Sequence, residues 1–548
     1  MPAGTGRTCI IGLDGATFGV LDKWVAAGDM PNLAALMARG SRSELTSTIP
    51  PATAPAWTSL TTGVGPGSHG IFDFLKWSPA GARIVESGDV AAPRIWDVAG
   101  AHSRTVGVLN VPLTFPASPV TGFMVAGMPT PRLTEAAVFP PGLFPEMKRR
   151  GLDVTEQPLP RGSSAGCLRA ILRSQLRFER VTAYLLERFH PDFFICVFRE
   201  TDRIQHRFWH YCSKGPEAAD RRLQSLVRDF YCALDRAIGL LASHFGSDAT
   251  YYVVSDHGMG PLEGLCGLNR FLADRGFIAF DRRRARQGAM KLSILRQVTR
   301  AAAQVGLLGP AMHLLARLRG PRAAEALRRD AFGFVSDAVD WEHTLAVAKS
   351  RSDYGIWVNL RGREPHGIVE PGEQYEKVRS ALIEALQALR DPKSREMLVT
   401  GVWRKEEILE GLPVSEAPDV YLLLRDGAVG RGLSPTEPLF GNVSPSAGGH
   451  RLGGVLVTCG PDIKPGAEVD AHITDIAPTV LYTMGLPVPR HMEGKVLMGL
   501  VRDEFVAAHP IRKVERRGAR RGAPSEGPPL APADAAEIKY RLRDLGYL

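Results

Sequence analysis

No uninterrupted apolar run in the 548-residue chain approaches the roughly 18 residues a transmembrane helix needs. The N-terminus, Met1 to Arg7, is short and polar, and the first apolar run stops at an aspartate. A signal peptide would need a longer apolar region and a cleavage site. Cysteine is scarce. The seven residues, Cys9, Cys167, Cys196, Cys212, Cys232, Cys266 and Cys459, are scattered with no C-x-x-C pair. An odd, dispersed set excludes a disulfide frame and a thiolate zinc site, and it reads as reduced thiols in the cytoplasm. No internal repeat is present.

At 44% hydrophobic and 23% charged, the composition is that of an ordinary globular protein with ample length for a sizeable core. The net charge of +9 is localised: residues 281–330 hold 12 Lys and Arg against 3 Asp and Glu, so the remainder is near neutral. That segment suggests an acidic partner or peripheral membrane contact, and no specific nucleic-acid binding is expected.

Short apolar runs at 8–13, 106–110, 192–198 and 250–254 read as buried strands, and helical spacing at 18–27, 31–38, 168–187 and 223–241 lies between them. Further strands are predicted at 354–359, 420–424 and 454–458, with helices at 374–389 and 474–484, the latter capped by Asp475. Buried strands alternating with helices predict an α/β fold with a doubly wound, mostly parallel sheet, whose chemistry gathers at the strand carboxyl ends. Residues 8–264 are the first part of this core and 265–345 a basic helical insertion. Residues 346–504 resume the core with a smaller α+β cap region, 505–533 form a basic and Pro/Ala-rich linker, and 534–548 a C-terminal helix capped by Asp534.

Polar residues follow the apolar runs in a pattern. Asp14 ends the first strand, either as a turn residue or as a ligand. Pro50 and Pro51 hold the approach to Thr53 extended, and Thr53 caps a helix with Pro55 in its first turn, where unpaired N–H groups favour phosphate. Asp202 and His206, four apart, share one helix face, with His210 beyond them. Adjacent Asp256 and His257 close another strand before two glycines, and His450 stands in a loop ahead of the strand at 454. Three carboxylates, three imidazoles and one hydroxyl are too many ligands for one tetrahedral ion and suit two. The mixed nitrogen and oxygen set favours zinc, with manganese the alternative. Two such ions can grip the attacking and leaving oxygens of a phosphoryl displacement.

The motifs Leu13-Asp14-Gly15, Met30-Pro31-Asn32-Leu33, Thr53 to Gly63, Pro66-Gly67-Ser68-His69-Gly70, Asp202 to His206, Ser255-Asp256-His257-Gly258 and Gly449-His450-Arg451 resemble, in order, the alkaline phosphatase superfamily in its type I phosphodiesterase/nucleotide pyrophosphatase branch. Within it, Pro55-Ala56-Trp57-Thr58-Ser59 and the segment 359–365 are similar to a cytoplasmic set described as phosphohydrolases or phosphomutases. The resemblance implies one metal held by Asp14, Thr53, Asp256 and His257 and another by Asp202, His206 and His450. It also implies Thr53 as the nucleophile, a phosphothreonine intermediate and a small phosphorylated substrate. Thr58 and Ser59 are rivals for the attack. One departure is Ala56, where nucleotide pyrophosphatases carry an asparagine that binds a phosphoryl oxygen; losing one such donor can cost about 3 kcal/mol. Trp57, Arg203, Arg207 and Arg451 are the candidate replacements. The expected function is hydrolysis of a phosphodiester or phosphomonoester. The alternatives are a phosphomutase or phosphotransferase and a catalytically silent binding protein; a sulfatase is disfavoured by the lack of a C/S-x-P-x-R motif.

Overall fold

The computed structural model describes residues 6–78, 81–160, 163–215, 220–281, 338–349, 355–409, 416–431, 438–444 and 446–515, with residues 534, 535, 537–539 and 542 of the C-terminal segment. Most of the basic stretch 281–330 lies outside the described residues.

A nine-stranded sheet runs in the order Ala471–His472, Ser41–Thr46, Gly453–Cys459, Thr250–Val254, Thr8–Leu13, Phe193–Phe198, Val106–Leu109, Phe123–Val125, Val138–Phe139. Its centre is parallel, with Ile11 aligned to Cys196 on one side and Val253 on the other. Gly453–Cys459 and Val138–Phe139 run antiparallel to their neighbours. Both faces are covered. Cys9, Ile11 and Leu13 enter one apolar cluster with Trp24, Leu33 and Phe230, while Ile10 enters another with Trp57, Trp96 and Val480. Burial on both faces explains why the central strands read as continuous apolar runs instead of alternating ones.

Ser41–Thr46 does alternate, with Ser41, Ser43 and Leu45 buried and Arg42 and Glu44 exposed. Serines take the place of large apolar residues on its inner side, so its sequence carries no strand signal. The helix predicted at 474–484 runs from Ile476 to Thr483 behind a 3-10 turn at Ile473–Asp475. Asp475 stands at its N-cap position, but its side chain makes no capping bond to that helix: its carboxylate accepts from the backbone N–H groups of His472 (3.0 Å) and Lys495 (2.8 Å).

A smaller antiparallel sheet, Ala346–Val347, Gly355–Val358, Val420–Leu424 and Val399–Arg404, carries the helix Glu373–Gln387 on one face and forms the α+β cap. The described part of the C-terminal segment is helical. Ile538 and Leu542, one turn apart, are buried in a third cluster with Met128, Leu113 and Ala54, and Asp534 pairs with Arg132 at 3.4 Å.

Candidate active site

The parallel strands end along one edge of the sheet, and the polar residues that follow them meet there. Asp14 follows Thr8–Leu13, Asp256 and His257 follow Thr250–Val254, and Asp202 and His206 lie in the helix Glu200–Lys214 just past Phe193–Phe198. Thr53 opens the helix Thr53–Thr62. His450 lies on the strand Gly448–Arg451, not in a loop. That strand pairs antiparallel with Gly258–Pro261, setting His450 opposite Met259, two residues past His257.

All seven expected residues converge. His257 Nε2 is 3.4 Å from Thr53 Oγ1, 3.3 Å from Asp256 Oδ2 and 4.0 Å from Asp14 Oδ1. Asp202 Oδ1 is 3.1 Å from His206 Nε2 and 3.5 Å from His450 Nε2, and those two nitrogens are 2.9 Å apart. The His257 and His450 rings stack with centroids 3.7 Å apart. Two groups have ligand atoms close enough to share an ion, Asp14/Asp256/His257 and Asp202/His257/His450, with His257 common to both. His210, by contrast, is exposed.

Each imidazole is oriented from behind. Nδ1 of His206 meets the Gly448 carbonyl (3.0 Å), that of His257 the Gly258 carbonyl (3.0 Å) and that of His450 the Pro51 carbonyl (2.8 Å). A carbonyl only accepts, so each Nδ1 carries the hydrogen and each Nε2 turns a lone pair to the centre, as in histidine ligands to metals. The Nε2 pair of His206 and His450 would then oppose two lone pairs at 2.9 Å, which a proton or a cation must relieve.

The carboxylates show the same need. Asp14, Asp202 and Asp256 are all fully buried. Asp14 Oδ1 and Asp256 Oδ2 accept no hydrogen bond among the described residues. Burial, aided by the charge of Asp202 and opposed by Arg199, pushes the Asp14 carboxyl up to about 6. Burial and the neighbouring Asp14 drive Asp256 well above the carboxylate range. Burial raises the Asp202 carboxyl, but positive charge beside it, from a protonated His206 first and from Arg199, outweighs burial and holds that carboxyl low. Burial and its neighbour His450 keep His257 neutral. Such a dry, acidic, imidazole-lined cluster fits divalent cations.

Two further contacts fix Asp14. Its Oδ2 accepts from Trp57 Nε1 (2.9 Å) and from the Arg199 guanidinium. Trp57 lies directly over Gly12, where an added Cβ would stand 2.4 Å from the indole, so only glycine lets the ring reach Asp14. Gly15, at φ +64°, turns the chain so that its N–H donates to Asp256 Oδ1 (3.1 Å). Sequence reasoning missed Arg199, whose signal was its place as the first charged residue after a buried strand.

Thr53 does not cap its helix. Ala52, in extended conformation, is the cap, and Thr53 is the first helical residue with its hydroxyl toward His257. The rival hydroxyls are engaged elsewhere: Thr58 Oγ1 donates to the Ala54 carbonyl (2.8 Å) and Ser59 Oγ meets His69 Nε2 (2.9 Å). Of the candidate replacements for the missing asparagine, Trp57 donates to Asp14, Arg203 pairs with Glu156 and Glu200, and Arg451 pairs with Asp426 (3.2 Å).

A mostly parallel sheet with acidic and imidazole groups gathered at its carboxyl edge defines an α/β protein with its candidate site at the strand ends. The family model for type I phosphodiesterase/nucleotide pyrophosphatase matches residues 8–432, and the chain belongs to that family of metal-dependent phosphoric ester hydrolases. His450 lies beyond the matched span. Among solved structures, the fold is similar to phosphonoacetate hydrolase from Sinorhizobium meliloti 1021 in complex with phosphonoacetate (16% identity, 88% of this chain and 95% of that one, TM-score 0.52). Human ectonucleotide pyrophosphatase/phosphodiesterase 5 also matches (13% identity, 91% and 99% coverage, TM-score 0.48). No curated protein matches. No helix among the described residues is long and apolar enough to cross a membrane.

Proposed function

We propose that the protein hydrolyses a phosphomonoester or phosphodiester of a small molecule by way of a phosphothreonine on Thr53. The observation that carries this reading is the set of three Nδ1-tethered imidazoles facing three buried carboxylates around one threonine hydroxyl. Asp14, Thr53, Asp256 and His257 would hold one divalent ion and Asp202, His206 and His450 a second, with zinc favoured by the nitrogen-rich second group. Bound ions supply positive charge that lowers the cost of the threonine alkoxide and of the charge developing on phosphoryl and leaving oxygens.

The chain's own groups do the rest. Thr53 Oγ attacks phosphorus in line; the bond from phosphorus to the substrate alcohol breaks, and the alcohol leaves with a proton. Water then cleaves the phosphothreonine, restoring the hydroxyl. First-turn N–H groups of the Thr53–Thr62 helix, which have no intrahelical acceptor, hold phosphoryl oxygens. Arg199 and Trp57 keep Asp14 ionised and aimed at the centre. Seven free cysteines support a reducing, cytoplasmic setting.

Thr53→Ala tests the assignment. Turnover of an aryl phosphoester should fall at least a thousandfold, on the order of the loss of a catalytic nucleophile, while metal content measured by elemental analysis stays near that of the wild type. Activity within tenfold of wild type would remove Thr53 from its role.

A further inference from the structure

Beside the metal-ligand cluster, along the same carboxyl edge, lies a cavity that is in part open to solvent. The loops after Val106–Leu109, Phe123–Val125 and Phe193–Phe198 form its base, and the Ser164–Phe189 helix and the C-terminal segment form its walls. Arg199 links the two spaces, since it lines the cavity and holds Asp14. Crevices outside the strand ends of open α/β sheets are where ligands bind.

Gln175 lines this cavity from the long helix. It is 1% exposed, and neither Oε1 nor Nε2 has a hydrogen-bond partner among the described residues. A buried primary amide with both ends unanswered is costly unless something completes it, and what completes it must offer a donor and an acceptor side by side. The charge of the cavity narrows the class. Arg199 is matched by Asp14, and the other charged lining residues, Glu156 and Glu200, are carboxylates that share Arg203, each 2.8 Å from it. No net positive charge remains for a second phosphate or a carboxylate. Phe178, Met128 and Leu542 supply apolar surface to the same cavity.

We propose that this cavity receives the non-phosphoryl part of the substrate, and that Gln175 selects an uncharged, partly apolar group with adjacent donor and acceptor, of the primary carboxamide type. The proposal rests on the hydrolytic reading above. By supplying Leu542 and Ile538 to the wall, the C-terminal segment makes the pocket a property of the full chain.

Benzamide and benzoate are the probes, titrated calorimetrically into the full-length, metal-loaded protein and into Gln175→Leu and Gln175→Met. Benzamide should bind at least tenfold more tightly than benzoate, and both variants should lose at least tenfold of that affinity, the scale set by an unmatched buried hydrogen bond. Because each variant replaces an unanswered amide by an apolar side chain, its melting temperature should equal or exceed that of the wild type. Equal or tighter benzoate binding, benzamide binding absent or indifferent to residue 175, or a lower melting temperature in both variants would each overturn the proposal. A second arm compares kcat/KM for 4-carbamoylphenyl phosphate and phenyl phosphate. A preference of at least tenfold that disappears in Gln175→Leu supports the pocket. Hydrolysis of both esters without preference refutes the pocket and leaves the hydrolytic reading intact. Benzamide binding that follows Gln175, with neither ester hydrolysed, refutes the hydrolytic reading and leaves the pocket.

Discussion

Asp14→Asn should make the metal-free protein more stable at neutral pH while disabling it. Asp14 is fully buried, and burial raises its carboxyl from the ordinary 3.8 to about 6 even with Arg199 beside it. The folded state therefore holds the Asp14 proton more tightly than the unfolded chain does. A group of this kind contributes stability in full below about 3.8, and the contribution is lost as pH rises through about 6. At about 1.4 kcal/mol per pH unit, that rise corresponds to about 3 kcal/mol at pH 7. Asparagine keeps an acceptor for Trp57 and carries no charge to bury, so it resembles the protonated aspartate. Denaturant unfolding in chelator at several pH values should give equal stabilities for wild type and variant near pH 4. The variant should lead by about 3 kcal/mol at pH 7. With Zn²⁺ or Mn²⁺ added the order should reverse, because only the wild type gains a ligand charge that a cation stabilises. A variant no more stable than wild type at pH 7 without metal, or a gap independent of pH, would refute the electrostatic reasoning.

Gly12→Ala should destabilise the fold by about 1–3 kcal/mol, since the new methyl must push the Trp57 ring away; unfolding at the wild-type midpoint would contradict that close contact. Losing Trp57 from Asp14 should also weaken metal affinity by about tenfold or more, read by competition with a chromogenic chelator. His450→Ala should lower metal content from two ions per chain to one while the Asp14/Asp256/His257 group keeps its ion; retention of both ions would separate His450 from the site.

Much of the architecture is legible in the residues because the central strands are buried on both faces. Residues 8–13, 193–198 and 250–254 have no solvent-facing side, so hydrophobicity alone marks them. The same rule hides Ser41–Thr46, whose inner face is mainly serine and whose pairing is supplied by the neighbouring Gly453–Cys459. Local chemistry was also an incomplete guide at Thr53 and Asp475, both suited to helix capping. Thr53 turns instead to the imidazole of His257, and the Asp475 carboxylate is divided between the nearby backbone of His472 and the distant backbone of Lys495.

The candidate ligands could be named from residue type and order, because a strand's end is a local property and acidic or imidazole groups placed there are chemically conspicuous. What tertiary structure alone decided is how they face one another. The pairing of Gly448–Arg451 with Gly258–Pro261 brings His450 to His257 across almost two hundred residues of chain, and the fold aims Arg199 and Trp57 at one oxygen of Asp14. Orientation of this kind is set by packing and by hydrogen bonds between segments far apart in sequence. No window of neighbouring residues contains it.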